Sequence, residues 1–137
     1  MTTKEKTCGE RVSENWQDRK ADLEKLIELE QEGNEESDPD IGTLNEYGLC
    51  FDYVPPGTFN DQEEGFWRYQ LSCGGPQDEI RFYSSDQKTL YKAEYWFLDW
   101  GDGAKKHVKD EEVVRYLWDM FVEYESVKAE YDKAINE

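Results

Sequence analysis

The chain has 137 residues, with 33 Asp+Glu against 16 Lys+Arg and a formal net charge of −17. That balance excludes nucleic-acid recognition through a basic surface and disfavours anionic membranes, because both need Lys and Arg in excess. Five Trp, nine Tyr and six Phe are more than a disordered acidic chain carries, so the composition predicts one folded domain with an acidic skin.

No apolar run approaches the roughly 18 residues that span a bilayer. The start, Met1 to Lys6, has no apolar stretch behind it and reads as no secretory signal. Cys8, Cys50 and Cys73 are odd in number and widely spaced, which suits neither a disulfide framework nor a zinc pattern. A reduced, cytoplasmic compartment is the expectation.

In chain order, an acidic helix is expected over 9–33. Val12, Trp16, Leu23, Leu26 and Ile27 recur at helical spacing, Ser13 suits an N-cap, and Gly33-Asn34 suits the stop. An acidic loop follows over 34–46. The period then changes to two over 47–108. Phe51 and Tyr53 alternate with Asp52 and Val54, with Leu49 on their phase. Trp67, Tyr69 and Leu71 alternate with Phe66, Arg68 and Gln70. Ile80 with Phe82, Tyr91 to Phe97, and Lys105 to Val108 complete four or five strands, the last pair joined by a hairpin at Gly101-Asp102-Gly103. A final helix is expected over 110–135, with Val113, Leu117, Met120, Tyr124, Val127, Tyr131 and Ala134 on one stripe. Helix, antiparallel meander, helix is a single α+β domain over 1–137.

Catalytic patterns are sparse. His107 is the sole histidine and reads as a strand-end residue beside Lys105 and Lys106, with no nucleophile marked nearby. Gly74-Gly75-Pro76 lacks the spacing, the helix and the Lys of a phosphate loop. Asp99 and Asp102 flank a turn and are too few for a hard cation. No cofactor or metal is called, and an enzyme ranks third among the readings.

Charge placement is the informative feature. Glu10, Glu14, Asp18 and Asp22 follow at four-residue steps, and Glu24, Glu28 and Glu32 continue on a neighbouring row. The loop extends the charge through Glu35 and Glu36. Like charges at this spacing repel by roughly 0.2–0.5 kcal/mol per pair. Arg11, Arg19, Lys20 and Lys25 are placed to offset part of that. Three explanations compete: a solvating surface; adaptation to high salt, which eleven Lys against five Arg and the many large aromatics speak against; or imitation of the charge on a nucleic acid, which presents one negative charge per about 1.7 Å of duplex.

Aromatics are the second feature. Trp67, Tyr69, Tyr91, Tyr95 and Phe97 share one phase of the strands, while Phe66, Tyr83, Trp96 and Leu98 lie on the other. Helices on one face would leave the second set as an apolar patch suited to a partner or a homodimer, with Trp96 and Trp100 as anchors. Helices on both faces would bury both sets.

The stretch from Tyr47 to Gly103 resembles a family of small uncharacterised proteins encoded on plasmids, integrative elements and phages of proteobacteria. The likeness is carried by Leu49, Phe51-Asp52-Tyr53-Val54, Pro56-Gly57-Thr58-Phe59, Phe66-Trp67-Arg68-Tyr69-Gln70-Leu71-Ser72 and Gly74-Gly75-Pro76. Glu79, Arg81-Phe82, Glu94-Tyr95-Trp96-Phe97-Leu98-Asp99-Trp100 and Asp102-Gly103-Ala104 continue it. The resemblance implies a mobile-element setting in which small acidic proteins disarm host defence as anti-CRISPR or antirestriction factors. It implies no reaction and no catalytic residue. Together with the charge it leads to one expectation. The protein is a non-enzymatic inhibitor of a nucleic-acid-directed defence complex, using its carboxylate rows as a DNA mimic against a basic channel. The rival is a regulatory module of a mobile element that binds a protein through the aromatic sheet face.

Overall fold

The computed structural model describes residues 8–32, 42–73, 76–99 and 102–136. Helix α1 (Cys8–Gln31) comes first, then a one-turn helix α2 (Leu44–Tyr47). Five strands follow: β1 (Cys50–Val54), β2 (Phe66–Ser72), β3 (Gln77–Tyr83), β4 (Lys92–Asp99) and β5 (Asp102–His107). Helices α3 (Glu112–Glu123) and α4 (Ser126–Ile135) close the chain. The strands pair antiparallel in the order β1-β2-β3-β4-β5, so the expected α+β meander is the observed one.

The three longer helices lie on the same face of the sheet. Trp16 of α1 packs on Tyr95 of β4, with ring centroids 5.2 Å apart. Trp118 of α3 stacks on Phe82 of β3 at 5.6 Å. Phe121 stacks on Phe51 at 4.0 Å. The indole of Trp67 donates to the Val127 carbonyl of α4 at 2.9 Å. Of the first aromatic set, Trp67, Tyr69, Tyr95 and Phe97 are buried under these helices, as their phase predicts. Tyr91 is not: it precedes β4 and is exposed. Leu49 likewise falls just before β1 and is exposed.

Three local expectations are corrected. The C-terminal helix is two helices, because Glu125 adopts a left-handed conformation, φ 62°, and interrupts the helix between them. That break turns Tyr124 out to solvent, 65% exposed, and lets Val127 bury against the sheet. Ser13 is not an N-cap, since α1 begins at Cys8, whose backbone N–H donates to Asp102 Oδ2 of β5 at 3.0 Å. That contact places a carboxylate at the positive end of the helix dipole and ties α1 to the far edge of the sheet. Within the stretch expected as loop, Leu44 to Tyr47 form α2, and Leu44 joins the core. The chain enters β1 through Gly48, where a Cβ would sit 2.0 Å from the Tyr69 ring, so only glycine lets the backbone pass that ring. Gly33-Asn34, Gly74-Gly75 and Gly101 lie outside the described residues.

Candidate functional site: an acidic helix and an open sheet face

Helix α1 buries Val12, Trp16, Leu23, Leu26 and Ile27 and turns its opposite side outward. Glu10, Glu14, Asp18, Glu24, Glu28 and Glu32 are all exposed on that helix and the residue after it. The rows are not straight. Four residues advance a helix by about 40° beyond a full turn, so the row from Glu10 drifts towards the core. By Asp22 it has come round to the flank. Asp22 is only partly exposed and accepts a hydrogen bond from the Tyr47 hydroxyl of α2 at 2.6 Å. It belongs to an internal network, not to the outward face. Glu35, Glu36 and Trp100 lie outside the described residues.

The bases expected to offset the rows are largely engaged elsewhere. Arg11 pairs with Asp99 at 2.7 Å and lies over the Phe97 ring. Lys20 pairs with Glu111 before α3 at 2.8 Å and reaches Glu24 only at 3.9 Å. Arg19 donates from Nε and Nη2 to the Asp78 carboxylate at 2.6 and 3.0 Å, and from Nη1 to Tyr47 at 3.0 Å. Burial works against the Arg19 charge, but the bonds to Asp78 and Tyr47 outweigh it and hold the guanidinium firmly protonated. Asp78 is 3% exposed and also accepts from the hydroxyls of Tyr95, at 2.6 Å, and Ser72. Ser72 reaches it because the β2–β3 register shifts between Gln70 and Ser72, a bulge that aligns Ser72 with Asp78. The sequence gives no periodic signal for this network, since Asp78 occupies a helix-facing position of an otherwise apolar phase.

Among the described residues no helix lies on the other sheet face. It is not the apolar patch that its aromatics suggest. Phe66 and Tyr83 are buried, and Trp96 is half-buried beneath charged side chains. The Arg81 guanidinium lies 4.1 Å from the Trp96 ring centroid and 4.6 Å from that of Phe66. Its Nε donates at 2.7 Å to Glu79, a carboxylate only 1% exposed. Glu94, 2% exposed, accepts from Tyr83 at 3.0 Å and from the Trp96 indole at 3.1 Å, and pairs with Lys105 at 3.1 Å. Burial alone would push the Glu94 carboxyl up, but those donors win and hold it below its ordinary value. Arg68 and Asp52 pair across β1 and β2 at 2.8 Å. His107 ends β5 as expected, exposed, with Nδ1 4.0 Å from Glu94.

The segment 55–65 overhangs this face and forms a groove of about 390 Å³. Its organiser is Gln62, whose amide donates to the carbonyls of Pro55 at 3.1 Å and Glu64 at 2.9 Å and accepts from Phe59 N–H at 2.9 Å. Glu64 fastens the segment to β4, accepting from the hydroxyl of Tyr91 at 2.7 Å and from Lys92 at 3.0 Å. Gln62 has no sequence signal and Phe59 enters only through the resemblance, because Pro55-Pro56-Gly57 by itself reads as a chain break.

Asp99 and Asp102 face one another across β4 and β5. Both are occupied, Asp99 by Arg11 and Asp102 by the start of α1. Among the described residues no cluster of three or more His, Cys, Asp or Glu is placed to hold a metal ion, and no helix is long and apolar enough to cross a membrane. No family model, curated protein or solved structure matches this chain.

Proposed function

We propose that the protein is a non-enzymatic inhibitor that occupies the basic nucleic-acid channel of a bacterial defence complex, an anti-CRISPR or antirestriction factor. The observation that carries this reading is the division of labour on α1. Arg11, Arg19 and Lys20 are spent on Asp99, Asp78 and Glu111, while Glu10, Glu14, Asp18, Glu24, Glu28 and Glu32 face outward. From Glu10 to Glu32 the helix rises about 33 Å, so six carboxylates present roughly one charge per 5–6 Å. Duplex DNA presents one per about 1.7 Å. The helix is therefore a sparse mimic, and its binding depends on salt less steeply than that of DNA itself. A solvating role explains the net charge equally well but does not call for Arg11, Arg19 and Lys20 to be engaged by Asp99, Asp78 and Glu111.

The test is capture of partners from a bacterial lysate that carries defence systems, at low and at physiological salt. Wild type is compared with a variant in which those six carboxylates become Gln or Asn. Asp22 is left intact because it belongs to the Tyr47–Arg19 network. The expected result is a nuclease or CRISPR subunit recovered by wild type, lost by the variant, and weakened about tenfold or more by physiological salt. Equal recovery by both proteins would refute the mimicry.

A further inference from the structure

We propose that the groove over the open sheet face is a docking site for an arginine-bearing segment of another protein. Its own cations are already neutralised: Arg81 by Glu79 at 2.7 Å, Lys92 by Glu64 at 3.0 Å and Lys105 by Glu94 at 3.1 Å. On the rim, Asp61 and Glu63 form no ion pair among the described residues. An arriving anion would have to displace an internal carboxylate within the field of a −17 chain. An arriving cation meets two uncompensated carboxylates instead. The chemistry of the walls narrows the cation to a guanidinium. Phe59 is 44% exposed and lies nearly parallel to Phe66, 21° between planes at 6.3 Å. Arg81 lies over this aromatic set, 4.1 Å from the Trp96 centroid, 4.6 Å from Phe66 and 5.7 Å from Phe59, so these rings already take one guanidinium and Phe59 keeps an exposed surface for another. A planar, weakly hydrated guanidinium stacks on an exposed ring and bridges carboxylates, whereas an ammonium does neither as well. The Gln62 hydrogen bonds to the Phe59 N–H and the Glu64 carbonyl hold Phe59 in place before any partner arrives, which lowers the cost of binding.

The probe is a short peptide, capped at both ends, with two arginines among glycines, and its lysine twin. Each is titrated into isotope-labelled protein at physiological salt while backbone amide and indole N–H shifts are followed. The groove predicts saturable shifts at residues 59–64 and at the Trp96 indole. It predicts arginine binding about three- to tenfold tighter than lysine. Phe59→Ala removes that preference, and Asp61→Asn with Glu63→Gln weakens both peptides. The α1 variant with six neutralised carboxylates still binds, so the result is independent of the mimicry proposed for the helix. No binding, shifts confined to α1, equal affinity for the two peptides, or indifference to both groove variants would each overturn the proposal.

Discussion

The Arg19 guanidinium shows how single residues divide structure from function in this acidic chain. It makes three hydrogen bonds, two of them to the buried Asp78. Removing one partner of a buried pair strands the other charge, which costs several kcal/mol. Arg19→Met is therefore expected to lower unfolding free energy by about 3 kcal/mol in urea melts, the low end because the guanidinium is partly exposed. An unchanged midpoint would mean that Asp78 is held adequately by Tyr95 and Ser72 alone. Tyr69 makes a second residue-scale prediction. Burial pushes its hydroxyl up to about 12, partly offset by the Gly48 backbone hydrogen bond. The neutral phenol is the form favoured in the fold. Its contribution is complete below the ordinary tyrosine value of about 10 and is lost as pH rises through about 12. Wild type should lose more stability than Tyr69→Phe between about pH 9 and pH 11. Equal losses would contradict the assignment.

At the scale of elements, periodicity carried most of the information. Val12 to Ile27 mark α1, and the alternation around Phe51, Trp67, Phe82 and Tyr95 marks the strands, because each buries one side in a regular way. The break between α3 and α4 was not legible. Tyr124 occupies a stripe position and no Gly or Pro marks the turn, yet Glu125 takes a left-handed conformation. Tertiary contacts accompany it: after the break Trp67 bonds the Val127 carbonyl and Tyr131 packs on Tyr53. The 55–65 segment was equally opaque, since its order comes from one side chain and not from a repeating pattern. Gln62→Ala should raise amide hydrogen exchange at Gly57 and Phe59 while leaving the β2–β3 amides protected, at about 1 kcal/mol of stability. Unaltered exchange at Phe59 would show that the backbone bond from Gly57 to Gln62, at 3.0 Å, suffices by itself.

For the whole molecule, the sequence left open which sheet face the helices cover, because apolar residues occur on both phases of β2, β3 and β4. The structure puts α1, α3 and α4 on one face and screens the other with ion pairs and cation–π contacts. Trp96 thus works as a floor for Arg81 and not as a bare anchor. The carboxylates of α1 were legible as rows. The engagement of Arg11, Arg19 and Lys20 by distant carboxylates was not, because the partners Asp78, Asp99 and Glu111 lie at least 59 residues away in sequence. The result is a molecule with an acidic helical back and a charge-paired front. If the back imitates a nucleic acid, it must compete with one. The most direct measurement immobilises the protein, loads it with its captured partner at low salt, and then applies duplex DNA. The proposed mechanism predicts that DNA releases the partner, and that the variant with six neutralised helix carboxylates loads none. A partner that stays bound while the duplex adds to the complex would contradict it.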